Sequence, residues 1–509
     1  MIKQEKLPEQ VVDDGDDEAH NPLSEKAKDK EKFFQKMFAF IRSPFMLSRN
    51  KSGTIHATIL TGDVLETMPL TSARIGSKIK KMIRDEFGFR APKQMVAELV
   101  EELQDQADDA PLEVHEVHHR VALGTKGQIF VDLHDEGNVV LEVDKHGYRR
   151  HDFAAEAPLF IRTAGMTALP DPVGAVGNLE LLRSFLNYGT EGNWILLIAF
   201  ILYSLRPHGP FVILVVLGTA GSSKSTFSRI LRLLIDPSSV PTQALPKAIS
   251  DLMITASNSH LLVFDNVRTL SVELSDALCQ LATGGGSRTR TLYKDSEETL
   301  IHVKKPCILN GIDDVASQPD LVSRCILMEL PTITVRRTEA DLNSEFAASI
   351  DAIFAGLMET LSRTLAELDH VTDVPETRMA DFARFGVAVE RAMNWPKDSF
   401  KDAYAQNQQQ QMSNSLGDDP LAAALRTLVK TEVEPDMAYT KTPTDLLAAL
   451  REVATRNQVT NKAWPMSPHS LSKRLKKMDP ALRACGIAAG FQHSGNRTIT
   501  LTRLENFKK

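Results

Sequence analysis

Nine consecutive residues, Gly218-Thr219-Ala220-Gly221-Ser222-Ser223-Lys224-Ser225-Thr226, have the composition of a loop that holds phosphate. Glycines let the backbone turn tightly so that successive N–H groups face one point, and a following helix adds its positive N-terminal end there. Lys224 is spaced to reach the β- and γ-phosphates of ATP, and the Ser225 hydroxyl to hold Mg²⁺. One position departs from the usual pattern: Ser223 stands where glycine normally precedes the lysine, a mild steric intrusion beside the phosphates. A fortuitous Gly/Ser-rich turn is the bland alternative. The apolar run Phe211 to Leu217 before the loop, and the helical pattern after it, argue against that.

Three further signals follow in order. Leu261 to Phe264 is a buried-strand pattern ending in Asp265-Asn266, where a second Mg²⁺-side ligand belongs. Many such ATPases carry a glutamate at the next position to orient the attacking water. Here it is Asn266, so either asparagine positions the water more weakly or another carboxylate is the base. Cys307 to Leu309 ends in Asn310-Gly311, and Asn310 fits a sensor of the γ-phosphate or lytic water, although Asn-Gly is also a common turn dipeptide. Arg324, just before the apolar run Cys325 to Leu330, fits a finger acting on a neighbouring subunit's γ-phosphate, with surface ion pairing as the alternative. Between the second and third strands, Arg288 to Tyr293 and Thr299 to Val303 predict a hairpin with Lys294 at its tip. Arg288, Arg290, Lys304 and Lys305 flank it, and Gly284 to Gly286 precede it. Such a hairpin can touch DNA phosphates or be a solvated surface element.

The elements that position these residues follow from periodicity. Strand patterns separated by helical segments predict a parallel sheet covered on both faces, an α/β core over residues 174–335. Residues 1–32 have almost nothing apolar to bury and predict a disordered tail. Helical patterns at 77–87 and 92–107, then strand runs at 114–123, 128–133 and 139–143, predict an N-terminal α+β domain over 33–173. Residues 336–417 predict a helical region ending in a linker or frayed helix at the Gln-rich stretch 406–417. Over 418–509, three helices and a strand–turn–strand outline a winged helix.

That last module is charged unlike the rest. The chain of 509 residues has a formal net charge of −7, yet Ser467 to Lys509 holds nine Lys/Arg against Asp479 and Glu505. A basic module on an acidic protein points to nucleic acid more than total charge does. Lys473, Arg474 and Lys477 on the third helix are placed to face a duplex groove, and Arg497 at the wing to approach phosphate. A solvated charged face on a protein-interaction module is the alternative. The four cysteines, Cys279, Cys307, Cys325 and Cys485, form no CxxC pair, which speaks against a zinc site and fits a reducing compartment. The charged N-terminus is no signal peptide, and the apolar stretch Trp194 to Leu205 is too short to span a bilayer, so a cytoplasmic protein without membrane contact is expected.

The phosphate loop, Asp265-Asn266, the basic hairpin, Asn310 and Arg324 fit within little more than a hundred residues. Their order resembles the superfamily 3 helicases, AAA+-related hexameric motors of small DNA viruses, phages and plasmids. Leu278 to Gly285, Leu292-Tyr293, Ile308 to Ile312 and Pro319 to Arg324 are similar to the ATPases of prophages and integrative elements related to phage primase-helicases. The resemblance implies an ASCE/AAA+-like core that hydrolyses ATP with Mg²⁺, held by Ser225 and Asp265, in a hexamer or other ring. It implies ATP roles for Lys224, Ser225, Asp265 and Asn310, a trans finger at Arg324 and a DNA contact at Lys294. Single- or double-stranded DNA and a primase or polymerase are the implied partners. The role of Asn266 is left open.

Two other patterns carry less. His115-Glu-Val-His-His119 matches a zinc-protease string, but that chemistry needs both histidines on one helical turn and the flanks alternate like a strand. Asp132, Asp135 and Asp144 lack the paired spacing and accompanying residues of a nucleotidyl-transfer site.

Overall fold

A computed structural model of the chain describes residues 22–509, except 52, 62–63, 110–111, 138, 152–157, 285–286, 291–297, 302, 312–317, 335, 415, 417–418, 435–436, 493–496, 506 and 508–509. It forms two compact units, one built mainly from residues up to Val114 and the other from His115 onward.

In the first unit, helices Pro22–Arg42, Ala73–Phe87 and Lys93–Asp109 accompany the antiparallel pair Phe45–Arg49 and Ile55–Thr61. Ile75, Ile79 and Ile83 recur at helical spacing and are wholly buried with Leu99 and Leu103 in that unit's own core. Residues 22–32, expected in a disordered tail, are therefore helical. The expected α+β domain also divides: residues 115–173 belong to the second unit.

Val121, Ile129, Val131, Leu141 and Val143 share the core of the second unit, and one arginine adds a polar tie. Arg120 is fully buried, and its guanidinium donates to Asp236 Oδ1 at 3.1 Å, Asp132 O at 3.0 Å and Thr167 O at 3.0 Å. It ties the sheet of strands Val121–Leu123, Ile129–Asp132, Val140–Asp144 and Gly147–His151 to the end of the helix that follows the phosphate loop. A buried charge is tolerable only with partners of this kind.

The second unit is organised on a four-stranded parallel sheet of β1 (Ile213–Leu217), β2 (Leu262–Val267), β3 (Cys307–Gly311) and β4 (Cys325–Glu329), in the order β2-β3-β1-β4. Side chains alternate between two cores. Leu214, Val216, Val263, Ile308, Ile326 and Met328 pack on one face; Ile213, Val215, Leu262, Phe264, Leu309 and Leu327 pack on the other. This two-faced burial explains why the strands are continuous apolar runs. The 14-residue helix Glu191–Ser204 is buried all round from Trp194 to Ser204. Among the described residues no helix is long and apolar enough to cross a membrane.

The free edge of β4 is closed by a helix, the second of the two alternatives, linker or frayed helix, that the sequence left open for 406–417. Ser399–Asn414 is helical through the glutamine run. Asn407 accepts from Leu327 N at 3.0 Å and donates to Leu327 O, while Gln411 and Gln408 donate to Cys325 O. Residues 407, 411 and 414 lie on one helical face, so amide side chains take the place of a missing fifth strand. Elsewhere on this helix Gln409 donates to Ala484 O of the C-terminal module.

That module has helices Pro420–Glu432, Pro443–Val453 and Pro468–Ala484, each with proline in its first turn. Strands Ala438–Lys441, Ile487–Gln492 and Thr498–Arg503 form an antiparallel sheet with Thr498–Arg503 in the middle. The first of these strands had no signal in the sequence.

Candidate active site

The loop Gly218 to Ser223, the candidate phosphate loop, leaves the C-terminal end of β1 and enters the helix Lys224–Ile235. Ser223 sits at φ +64°, ψ +31°, the left-handed region, and caps that helix with no side-chain hydrogen bond. The position therefore does call for glycine-like geometry, and serine holds it at a cost of about 1 kcal/mol. With no capping side chain, the helix N-terminus keeps its first N–H groups for an anion. Gly218 is needed for space: a Cβ there would stand 2.5 Å from Ser222 Oγ and 3.1 Å from Leu330 O. Lys224 folds back, its Nζ donating to Gly218 O at 2.6 Å and Thr219 O at 3.1 Å.

Three strands converge on this loop. Ser225 Oγ donates to Asp265 Oδ2 at 2.7 Å. Asn310 is fully buried; its Oδ1 accepts from Ser228 Oγ at 2.7 Å and its Nδ2 donates to Asp265 Oδ1 at 3.3 Å. Asp265 stands on β2, which is not hydrogen-bonded to the loop strand β1. β3 lies between them, which is how Asn310 comes to bridge the loop's helix and the acidic strand. Asn266 is exposed at φ +55°, at a register shift between β2 and β3, and its N–H donates to Asp265 Oδ1 at 2.8 Å. Asparagine tolerates this backbone better than glutamate does, a local reason for its presence.

The oxygen donors of Ser225 and Asp265 suit Mg²⁺, which usually takes one or two protein oxygens and completes its shell with phosphate and water. Among the described residues, no group of three or more His, Cys, Asp or Glu is placed to hold a metal ion by itself. His118 lies on the strand Val117–His118, paired with Leu159–Phe160, not on a helix.

Arg324 is not with these groups in its own chain. Its carbonyl accepts from Ile213 N at the start of β1, the end opposite the loop, roughly 17 Å away along the strand. The side chain is buried, with Nη1 on Asp320 O at 2.6 Å and Oδ2 at 2.8 Å. Burial would lift the Asp320 carboxyl, but Arg324 and Arg378 hold it below the usual carboxylate range.

The DNA-contact candidates divide. Arg290 lies on strand Ser287–Arg290, antiparallel to Glu298–Ile301, so a hairpin is present; Lys294 at its tip lies outside the described residues. Lys473 and Lys477 are exposed one helical turn apart, and Arg497 is exposed. Arg474 is otherwise engaged: it pairs with Asp419, the cap of helix Pro420–Glu432. The pair joins the helices Pro420–Glu432 and Pro468–Ala484.

Sequence reasoning missed Asn187, whose Nδ2 donates to both Ser222 O at 3.2 Å and Pro331 O at 2.7 Å, bracing the loop. An isolated Asn in a loop carries no signal at this distance in sequence.

Comparison finds the chain similar to replication proteins of mobile genetic elements. Residues 179–405 match the family model described as actinomycete integrative conjugative element replication protein. Residues 421–509 match the model for the C-terminal domain of that same replication protein, so both parts stand in the expected order. No curated protein matches the chain. Among solved structures it is similar to an active helicase titled SCCmec type IV Cch, at 12% identity and TM-score 0.45, covering 91% of this chain and 93% of that one. It is also similar to the NrS-1 C-terminal region, at 10% identity and TM-score 0.42, covering 92% and 99%. Likenesses at this level assign no role to any residue.

Proposed function

We propose that this chain is an ATP-driven, Mg²⁺-dependent oligomeric motor that translocates on or unwinds DNA during replication of a mobile element. One observation carries the reading: Ser225, Asp265, Asn310 and Ser228 form a continuous hydrogen-bonded chain beside an uncapped helix N-terminus. That chain lies at the carboxyl ends of parallel strands, where such sheets bind ligands. The loop amides and Lys224 would cradle the phosphates, Ser225 and Asp265 would hold Mg²⁺, and Asn310 would register the state of the acidic strand. Mg²⁺ supplies charge neutralisation on the β- and γ-phosphates. Arg324, turned away from its own loop, would complete a neighbour's site in a ring of the superfamily 3 kind. The C-terminal module would act as a winged helix, presenting Lys473, Lys477 and Arg497 to DNA.

The test is ATP hydrolysis by purified protein with and without single-stranded DNA. Lys224→Ala is expected to abolish turnover; a wild-type rate in that variant would sink the assignment. A second reading, an ATP-controlled switch or loader without unwinding, is favoured by Asn266 in the glutamate position and by the Arg324–Asp320 pair. Strand displacement on forked DNA separates the two.

A further inference from the structure

The segment that leaves β4 crosses the phosphate loop. Leu330 N donates to Leu217 O at 2.8 Å, and the hydroxyls of Thr332 and Thr219 lie 3.3 Å apart. Asn187 clasps Pro331 O and Ser222 O together. At the far end Glu339, first residue of the helix Glu339–Leu368, pairs with Arg229 of the loop's own helix at 2.6 Å. Between these anchors stands Arg336. Its Nη2 comes within 2.8 Å of the place a Cβ on Gly221 would occupy.

Gly221 holds φ +86°, so glycine serves two needs there, a left-handed turn and room for a guanidinium. Arg336 is exposed, and among the described residues no hydrogen bond or ion pair occupies its guanidinium. Its neighbour Arg337 is by contrast committed, to Glu345 and Ser184 O and over the Phe185 ring. Nothing in the sequence pattern distinguishes the two arginines; the strap does.

We propose that Arg336 is a nucleotide-contacting residue supplied in cis, its guanidinium binding the phosphate chain held by Gly218 to Thr226. The inference rests on the nucleotide reading above and adds a second cation, from the same subunit, to Lys224. The planar fork of arginine matches two phosphate oxygens at once, and the anchored strap holds it beside the loop before ligand arrives, which lowers the ordering cost of binding. Gly221 and Arg336 form one device.

Equilibrium binding of ATP, ADP and AMP to full-length wild type, Arg336→Ala, Arg336→Lys and Lys224→Ala tests this. Arg336→Ala is expected to weaken ATP binding about tenfold or more, ADP less, and AMP least. The ATP deficit should shrink as salt is raised, and Arg336→Lys should recover part of it. Wild-type protein that binds no ATP would sink the nucleotide reading itself. Wild type that binds ATP and Lys224→Ala that loses it, beside an Arg336→Ala protein with unchanged affinity, overturns this inference alone. An equal loss for ATP and AMP, insensitive to salt, also overturns it, because that marks a structural defect and not a phosphate contact.

Discussion

Asn407→Leu keeps the volume of the side chain and removes every polar atom that closes the β4 edge. In the folded protein Asn407 and Leu327 are both buried, and the asparagine amide satisfies the Leu327 N–H and C=O together. Leucine leaves both backbone groups without partners and takes an acceptor from Gln411 Nε2, which donates to Asn407 Oδ1 at 2.8 Å. Each buried group left unsatisfied costs about 1–3 kcal/mol. Dehydrating leucine instead of an amide returns a part of that. A net loss of roughly 3 kcal/mol is expected, which raises the local opening constant of β4 about 150-fold. Hydrogen exchange reads this directly at the Leu327 amide, with the β1 amides as an internal reference. The change should be local, since β1 keeps β3 on its other side. A folded Asn407→Leu protein whose Leu327 amide exchanged within threefold of wild type would refute the idea that the Gln-rich helix substitutes for a strand.

Ser223 offers a second check: Ser223→Gly should fold at least as stably as wild type, whereas Ser223→Val, with a β-branched side chain at φ +64°, should lose about 1–2 kcal/mol in thermal unfolding. Equal stability of serine and valine there would contradict the left-handed assignment. A third concerns pH. Burial, with Lys305 nearby, pulls the His260 imidazole from its ordinary 6.5 down to about 4, while its Nε2 faces Ser204 O at 2.6 Å. Because the folded value lies below the unfolded one, the stability it contributes is complete above pH 6.5 and declines as pH falls towards 4. His260→Gln should flatten that part of a melting-temperature profile, and an unchanged slope would show that His260 is not the group titrating. The neighbouring Asp236 behaves separately: burial would raise its pKa, but Arg120 and Arg232 hold it at about 2, so its contribution survives to much lower pH.

The parts legible in sequence share one property, that local chain order is enough to specify them. The turn at Gly218 to Thr226, the apolar strands β1 to β4 and the helix Glu339–Leu368 follow from residue type and periodicity alone. The stretch 406–417 was left between linker and frayed helix because the informative face of Ser399–Asn414 is built from amides, and periodicity detects only apolar faces. Strands Phe45–Arg49 and Ile55–Thr61 were passed over even though Phe45, Ile55, Ala57 and Ile59 enter the core.

For the site, the sequence by itself determined which groups are available: a Gly/Ser-rich loop ending in Lys-Ser-Thr, a strand-end carboxylate and amide, and an arginine before β4. Only the tertiary structure decided how they combine. The order β2-β3-β1-β4 puts Asn310 between Asp265 and Ser228, and the parallel pairing of β4 with β1 puts Arg324 at the end opposite the loop. Packing outside that sheet gives Arg474 to Asp419 and lays Arg336 on Gly221. Contacts of this kind join side chains far apart in the chain, as with Arg120 and Asp236. Such pairings leave no local period to read, because the partners share a place in space and no interval in sequence.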